Sequence, residues 1–343
     1  MDADTPRNDR PPSITDVAKA AGVSSVTVSR VLRGESNVKP STAQKVEKAV
    51  LQLGYRRNPM VQALMSAVRR KSVAVESNIA WLPQPRKHDP ARTDARLRQL
   101  QEGARERAIQ LGFGFEPIMM DQPPLSRERL RNLLDARGVR GAVIAPLAHP
   151  SVLPNIPWDH FSIATIGRSL REPLISHAML HCQHAVERVL KEVSARGYRR
   201  IAFLGMSDAV ERSDNLQWMV CHAFQLRQDP ADRIEPVSVD GWTNERFKSW
   251  LKQTRPDAII ASYPQHIQQI REQNLPFLAE AGYATLSWRE EYPQIAGLRH
   301  PMDILGAAAI DIVVAQIHRN ERGIPERPKT MLIEGDWIEG STL

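Results

Sequence analysis

The stretch that decides the N-terminal fold is Ser13–Gly34, with the sequence SITDVAKAAGVSSVTVSRVLRG. Its first half places apolar residues at i, i+3, i+4 and i+7 from Ile14, which predicts one apolar face of a short helix. Ser13 and Asp16 have the spacing of a capping box at the start of that helix. Gly22 is suited to a turn with positive φ, so a second short helix is expected directly after it.

The second predicted helix has two unlike faces. Val28, Val31 and Leu32 form its apolar face, while its other side carries small polar, apolar and arginine side chains. That mixture suits the floor of a DNA major groove, although an ordinary helical hairpin with a solvated face would show the same pattern. Ser24 or Ser25 is placed to cap this helix.

Further helices are predicted beyond this pair. Pro40 stands at the start of a third helix, which an apolar stripe identifies and Gly54 ends. Asn58 and Pro59 then predict the cap and first turn of a short fourth helix that extends to about Ala67.

The run from Ile14 to about Leu64 closely resembles the DNA-binding headpiece and hinge helix of the lactose-repressor (LacI/GalR-type) family of transcriptional regulators. The matching residues are Asp16–Ala18, Ala21–Ser24, Thr27–Leu32, Leu53–Tyr55 and Asn58. The resemblance implies an all-α helix-turn-helix headpiece over residues 13–57 and a hinge helix with its linker over residues 58–71. It also implies a double-stranded DNA operator as partner.

The resemblance assigns roles to residues of the second helix. Ser25 and Val26 stand where specificity-setting side chains stand, and Arg30 stands where an arginine reaches a base edge. Phosphate contacts are implied for four short polar side chains, and each serine or threonine among them is equally well placed to act as a helix cap. These four residues are Ser24, Thr27, Ser29 and Asn37.

Three more DNA-binding positions follow from the same resemblance. Tyr55 and Asn58 flank the hinge, and Leu64 is the leucine that would enter the minor groove at the operator centre. The alternative for Leu64 is simple helix–helix packing. Gln62 replaces an arginine that is usual in the family, which implies fewer contacts to minor-groove phosphates.

Charge is distributed unevenly along the chain, whose formal net charge is +7. Residues 13–71 carry +8, residues 1–12 carry −1, and residues 72–343 balance to zero. A basic headpiece on a neutral body predicts a polyanionic partner for the headpiece alone. Residues 1–12 are polar and are expected to be a disordered tail. The absence of a long apolar run and of an apolar leader predicts a cytoplasmic protein with no membrane partner.

From Ser72 the sequence alternates between short apolar runs and amphipathic helices, which predicts parallel sheets with helices on both faces. The predicted strands are Val73–Val75 with Ile79–Leu82, Phe113–Met119, Ala142–Leu147, Phe161–Ile166, Ile201–Leu204, Ala258–Ala261 and Ala284–Trp288. This part is similar to the periplasmic-binding-protein-like effector domain of the same family, most clearly at Gly197–Gly205. The resemblance implies an effector-binding and dimerisation domain over residues 72–343. One lobe would lie near residues 72–165 and 298–327, the other near 166–297 and 328–343.

A small-molecule effector is expected in the cleft between the lobes, at the carboxyl ends of the strands. Several carboxylates and amides that hold sugar hydroxyls in the family are missing here. The effector could still be related to a sugar, but two alternatives are open: a different kind of ligand, or a ligand site that has degenerated. The candidate residues are Arg212, Tyr263, Trp288 and Arg289. Trp288 and Arg289 suit an anionic or aromatic molecule. The alternative is that Trp288 packs in the core and Arg289 is solvated.

Neither an enzyme nor a cofactor is expected from the motifs. The sequence contains no nucleophile elbow, P-loop, HExxH or CxxC motif. Cys182 and Cys221 are expected to be free thiols. Together with Cys182, His177, His181 and His184 form a metal-like cluster. Because this segment crosses a strand-to-helix turn, we interpret them as ordinary surface or cleft histidines, with a metal site as the less favoured alternative.

The sequence thus predicts a sequence-specific transcriptional regulator, more readily a repressor, that binds a pseudo-palindromic operator as a homodimer. A small-molecule effector would shift its operator affinity. Two alternatives stay open: a DNA-binding protein that needs no effector, and a small-molecule sensor with a degenerate site.

Overall fold

The structure, a computed structural model, describes residues 12–32, 38–55, 77–83, 90–119, 126–147, 151–153, 155–207 and 215–343. Two compact units result: a helical headpiece within residues 1–76, and an α/β body that contains residues 77–315 and 322–343. The predicted tail, apart from residue 12, and the predicted hinge helix at 58–71 lie outside the described residues.

The described part of the headpiece consists of three helices, α1 (Ile14–Ala21), α2 (Ser25–Leu32) and α3 (Pro40–Leu53). They meet in a small apolar core. Its buried residues are Val17, Ala18, Ala21, Val28, Val46 and Ala49. Gly54 ends α3 with a φ of 61°, a conformation that favours glycine. The helix-turn-helix pair and the third helix predicted from the sequence are therefore present.

Strands and helices alternate along the described body, as the sequence predicts. The strands are β1 (Asn78–Leu82), β2 (Gly114–Pro117), β3 (Val139–Ile144), β4 (Ser151–Val152), β5 (Ser162–Ile166), β6 (Leu170–Glu172), β7 (His177–Leu180), β8 (Ile201–Gly205), β9 (Val237–Ser238), β10 (Ala258–Ala261), β11 (Gly282–Thr285), β12 (Ala296–Arg299), β13 (Thr330–Ile333) and β14 (Asp336–Ile338). The helices are α4 (Pro90–Gln110), α5 (Arg127–Ala136), α6 (Cys182–Ala195), α7 (Leu216–Arg227), α8 (Asn244–Thr254), α9 (Pro264–Arg271) and α10 (Met302–Arg319).

Two six-stranded sheets organise the body into two lobes. The first has the strand order β13-β7-β5-β3-β1-β2 and is parallel throughout. The second has the order β14-β12-β11-β10-β8-β9, and only β14 runs antiparallel, against β12. Strand β8 shows why its residues are continuously apolar: Ile201 and Phe203 enter one core, while Ala202 and Leu204 enter the core on the opposite face.

Helices α4 and α10 pack so closely in lobe one that each needs a glycine at the crossing. A Cβ on Gly306 would overlap the carbonyl oxygen of Leu100, and a Cβ on Gly103 would overlap the backbone of Asp303. Any other residue at these positions would force the helices apart.

The chain passes between the lobes at three places in the described body. These are His181 between β7 and α6, residues 300–301 between β12 and α10, and residues 334–335 between β13 and β14. Two of the lobe boundaries expected from the sequence therefore differ, because residues 166–180 and 328–333 belong to the first lobe. Strands β7 and β13 are short and β13 is largely exposed, so neither provides the apolar run by which strands are recognised in a sequence.

Candidate nucleic-acid interface and interlobe cleft

Local hydrogen bonds position the two helices at the start of the headpiece. The Ser13 amide donates to Asp16 Oδ2 at 2.8 Å, and the Asp16 amide donates to Ser13 Oγ at 3.3 Å, which completes the predicted capping box. Gly22 has a φ of 66°, as the turn requires. The chain can therefore leave α1 and enter α2 within three residues.

Helix α2 buries one face and exposes the other. Val28 is fully buried in the headpiece core. On the opposite side Ser25 and Arg30 are exposed, and Val26 keeps 60% of its surface exposed. An exposed valine between a serine and an arginine forms a surface with an apolar contact, a short hydroxyl and a guanidinium fork. This is the combination that reads base edges in a major groove.

The short polar residues at the start of α2 differ in their roles and in their exposure. Ser24 caps the helix, because its Oγ accepts a hydrogen bond from the Thr27 amide at 3.1 Å. Its hydroxyl also shares a 2.9 Å hydrogen bond with Thr27 Oγ1. Of the two capping candidates, Ser24 therefore has this role, which leaves Ser25 exposed on the helix surface. Thr27 and Ser29 are half-buried.

The remaining predicted DNA-binding residues fall in two groups. Tyr55 packs against the headpiece core, and its amide donates to the carbonyl oxygen of Val50 at 3.1 Å. This position gives Tyr55 a packing role in the headpiece. Asn37, Asn58 and Leu64 lie outside the described residues.

The cleft between the lobes is bounded by the carboxyl ends of the strands of the second sheet. Tyr263 follows β10, and Trp288 and Arg289 follow β11, so three of the four predicted effector residues come together. The Arg289 guanidinium carbon lies 5.9 Å from the centre of the Tyr263 ring, within the range of a cation–π contact. Arg212, the fourth, lies outside the described residues.

Arg96 of α4 reaches across this cleft from the other lobe. Its Nη1 donates to Ser287 Oγ at 2.9 Å, just beyond the end of β11. Its Nη2 lies 2.6 Å from His300 Nδ1, at the crossing between β12 and α10. None of these three residues is recognisable as a site residue in the sequence, since Arg96 is separated from the other two by about two hundred positions and no local motif connects them.

The imidazole of His300 is neutral in this environment. Burial, together with the positive charges of Arg96 and Arg289, lowers the pKa of His300 to about 3. Since a guanidinium has only donors, Nδ1 must accept the hydrogen bond from Arg96. The crossing segment is thus joined to α4 by a hydrogen bond that requires an unprotonated nitrogen.

A carboxylate lies beyond the carboxyl ends of β8 and β9, at the same edge of the second sheet. Asp240 Oδ2 accepts hydrogen bonds from the Ser207 amide at 2.7 Å, from Ser207 Oγ at 2.6 Å and from Ser238 Oγ at 2.5 Å. Burial raises the pKa of Asp240, but these hydrogen bonds outweigh it and the net shift is downward. His266 of α9 adds a favourable charge interaction with this carboxylate.

Three polar atoms beyond the carboxyl ends of β10 and β11 are buried and have no hydrogen-bond partner among the described residues. They are Ser262 Oγ, Trp288 Nε1 and Arg289 Nε. Buried polar groups are nearly always satisfied, so these atoms suggest a polar group that enters the cleft. They follow β10 and β11, where parallel sheets place their ligands.

The two cysteines are free, as expected. Burial raises the pKa of the Cys182 thiol to about 11 and also raises that of the more deeply buried Cys221. Both are therefore protonated at neutral pH. The strand-to-helix turn expected within the histidine cluster is present, because His177 lies buried in strand β7 and His184 lies in helix α6.

Comparison with known proteins finds similar transcriptional regulators. A family model described as "Bacterial regulatory proteins, lacI family" matches residues 13–58. The HTH-type transcriptional regulator PtxS of Pseudomonas putida is 24% identical over 328 residues, which cover 92% of each chain. Residues 13–58 thus match the DNA-binding headpiece of the lacI family, and most of the chain is similar to a named transcriptional regulator. The resemblance recognised in the sequence is confirmed.

A second regulator is similar over a shorter segment of the chain. The HTH-type transcriptional regulator GntR of Pseudomonas aeruginosa is 50% identical over 64 residues, 19% of this chain and 18% of its own. In three dimensions the chain is similar to a lac repressor dimer bound to operator and the anti-inducer ONPF. The TM-score is 0.53 at 20% identity, with 97% of this chain and 99% of that chain covered. This likeness confirms the predicted fold class. No helix among the described residues is long and apolar enough to cross a membrane.

Proposed function

We propose that this chain is a cytoplasmic repressor of the lacI family, which binds a pseudo-palindromic operator as a homodimer and responds to a small molecule in the interlobe cleft. The observation that carries the DNA-binding part is the exposed face of α2, where Val26 and Arg30 lie opposite the buried Val28. One such helix reads only a few base pairs. Two-fold symmetry doubles the site and makes the operator palindromic.

Each exposed residue of α2 has a distinct proposed role. Arg30 makes a bidentate contact to a guanine, whose O6 and N7 match the guanidinium fork. Val26 contacts a thymine methyl group, and Ser25 sets specificity beside it. Ser24, Thr27 and Ser29 contact phosphates. The Ser24 and Thr27 hydroxyls give up the hydrogen bond that they share, so that each can donate its proton to a phosphate.

The other DNA-binding positions rest on the family resemblance. We propose that Asn37 contacts a phosphate, that Tyr55 and Asn58 bind at the rim of the groove, and that Leu64 enters the minor groove. For Tyr55 the packing against the headpiece core supports an indirect role, in which the ring positions the chain that follows α3.

Selection of bound sequences from a random DNA library by the purified full chain tests the DNA-binding proposal. We expect a palindromic motif. Arg30→Ala should weaken binding to it by about 1–3 kcal/mol and relax the preference for one base pair. Lys48→Ala, which removes a charge from exposed α3, is the matched control and should leave sequence preference unchanged. Binding without any recoverable motif would contradict the proposal.

The cleft supports an effector that carries an anionic group. Arg289 presents a buried Nε that lacks a described partner, and Arg96 and the neutral His300 stand nearby. Two guanidinium groups, both close enough to His300 to lower its pKa, favour a carboxylate or a phosphate. Ser262 Oγ and Trp288 Nε1 can bind its uncharged polar groups. A hydroxylated, negatively charged molecule therefore fits these side chains better than a neutral sugar does.

Thermal unfolding in the presence of neutral sugars, sugar phosphates and hydroxylated carboxylates tests this second part. A ligand at one hundred times its dissociation constant should add about 2.7 kcal/mol to the free energy of unfolding. Arg289→Gln should abolish that gain, while Arg188→Gln, on the exposed surface of α6, should keep it. If no compound stabilises the protein but operator binding persists, the chain is an effector-independent DNA-binding protein instead.

A further inference from the structure

Two of the segments that connect the lobes lie side by side at one edge of the first sheet. Strands β7 and β13 pair in parallel, with Leu180 opposite Ile333. His181 and Glu334 are the next residues on each strand, and the His181 amide donates to the carbonyl oxygen of Ile333 at 2.9 Å. The pairing of the two strands therefore places His181 and Glu334 side by side, at the point where both segments leave the first lobe.

His184 joins them from the first turn of α6. The Nδ1 atom of His181 lies 2.6 Å from Glu334 Oε1, and the Nδ1 atom of His184 lies 2.5 Å from Glu334 Oε2. The two imidazole rings are 5.5 Å apart at their centres. One donor atom from each of the three residues can be chosen so that all lie within 4.8 Å of one another.

The donor set is of the kind that binds first-row transition metals. Neutral imidazole and carboxylate are both ligands of Zn²⁺, with bonds of about 2.0–2.2 Å. The present spacings are those of hydrogen bonds, so the three side chains must open slightly to admit an ion between them. His184 and Glu334 are exposed and His181 is half-buried, with 51%, 57% and 31% of their side-chain surface accessible, so there is room for these rotations.

Other histidine–carboxylate pairs of the body lack this arrangement. His222 lies 3.1 Å from Glu235 and His160 lies 2.8 Å from Asp135, each as a single pair. A single pair is an ordinary surface hydrogen bond or salt bridge. At Glu334 two imidazoles face the two oxygens of one carboxylate, His181 from the N-cap position of α6 and His184 from its first turn. The carboxylate is a third ligand group, which the local sequence around His181 does not contain.

We propose that His181, His184 and Glu334 form a site for a divalent transition-metal ion, with Zn²⁺ as the reference ion. Three protein ligands leave a fourth position of the tetrahedron to water. The bound ion joins two of the three lobe-connecting segments, and any rotation of one lobe against the other has to be accommodated in these segments. Metal binding thus restrains the lobes without contact with the cleft, and the proposal is independent of the effector.

Titration calorimetry of the full chain, free of any polyhistidine tag, with ZnCl₂ tests the site. We expect one saturable site per chain. His184→Ala and Glu334→Gln should each weaken the affinity by about tenfold or more. His222→Ala removes an exposed histidine that also faces a glutamate, and should leave the affinity unchanged. The absence of saturable binding, or equal binding by all variants, would overturn the proposal.

Hydrogen exchange with and without ZnCl₂ provides a second readout, which does not depend on the variants. The amides of residues 181–184 and 333–335 should exchange more slowly when zinc is present, because the ion holds both segments. If slower exchange occurs only around His222, or nowhere, the ion does not bind between the segments and the assignment fails.

Discussion

The headpiece and the interlobe cleft differ in how far apart in sequence their cooperating residues lie. In the headpiece Ser13 acts on Asp16 and Ser24 acts on Thr27, three positions apart in each case. In the cleft Arg96 acts on Ser287 and His300, about two hundred positions away. The first kind of contact is part of a local motif, whereas the second exists only after two lobes have formed and met.

This difference determines which functional surfaces can be recognised from the sequence. A helix-turn-helix surface is determined within about twenty residues, because caps, turn and apolar face all act locally. A ligand site at the ends of parallel strands collects residues from loops that are distant in sequence.

The largest effect is expected at the crossing of α4 and α10. Gly306→Ala places a methyl group on the carbonyl oxygen of Leu100, and the two helices must separate. We expect a loss of about 2–3 kcal/mol in the free energy of unfolding of the body, as for other overpacked contacts. Urea unfolding followed by circular dichroism measures it.

Ala307→Ser is the control, since Ala307 is adjacent but only half-buried. Its unfolding midpoint should stay close to that of the parent chain. Equal stability of Gly306→Ala and the parent chain would mean that α4 and α10 do not approach as closely as the structure shows.

A smaller effect is expected within α2, where neighbouring valines separate folding from recognition. Val28→Ala opens a cavity in the headpiece core and should cost about 2 kcal/mol of local stability, measured by hydrogen exchange of the amides of α1–α3. Val26→Ala removes an exposed side chain and should leave that exchange unchanged while it weakens operator binding. Faster exchange in both variants would show that Val26 is a packing residue.

Continuously apolar strands of the body could be predicted, but strands that begin with a polar residue or are largely exposed could not. Ile79–Leu82, Ile201–Leu204 and Ala258–Ala261 are apolar on both faces and were recognised as strands, within one residue of their observed bounds. Strands β7 and β13 were not, and their omission displaced two lobe boundaries. An edge strand such as β13 is exposed on most of its residues, so its sequence lacks the apolar signal.

The residues of the candidate effector site could be predicted where they directly follow a strand that is recognisable in the sequence. Tyr263, Trp288 and Arg289 follow strands that the sequence reveals, and they do come together in the cleft. Arg96 and Glu334 could not be found, because one approaches from the opposite lobe and the other from the opposite end of the chain. Their roles depend on which segments the two sheets place side by side.

The last test concerns His300 and uses pH to probe the contact across the cleft. The pKa of His300 is lowered from 6.5 to about 3 in the folded chain. Below pH 6.5 the unfolded chain therefore binds a proton that the folded chain does not, so stability falls as the pH falls from 6.5 toward 3. For one proton the slope is at most about 1.4 kcal/mol per pH unit. Urea unfolding at pH 7.5 and pH 5.0 should show this loss.

Variants assign the loss to the contact between Arg96 and His300. His300→Asn removes the titrating group and should reduce the difference between the two pH values. Arg96→Gln removes one of the charges that lower the pKa of His300, and should reduce the difference in stability between the two pH values by a smaller amount. His222→Asn, on the surface beside Glu235, should leave it unchanged. A residual dependence is expected from His177, whose pKa burial also lowers. If His300→Asn keeps the full pH dependence, the imidazole is not held neutral by Arg96, and the hydrogen bond across the cleft does not form in solution.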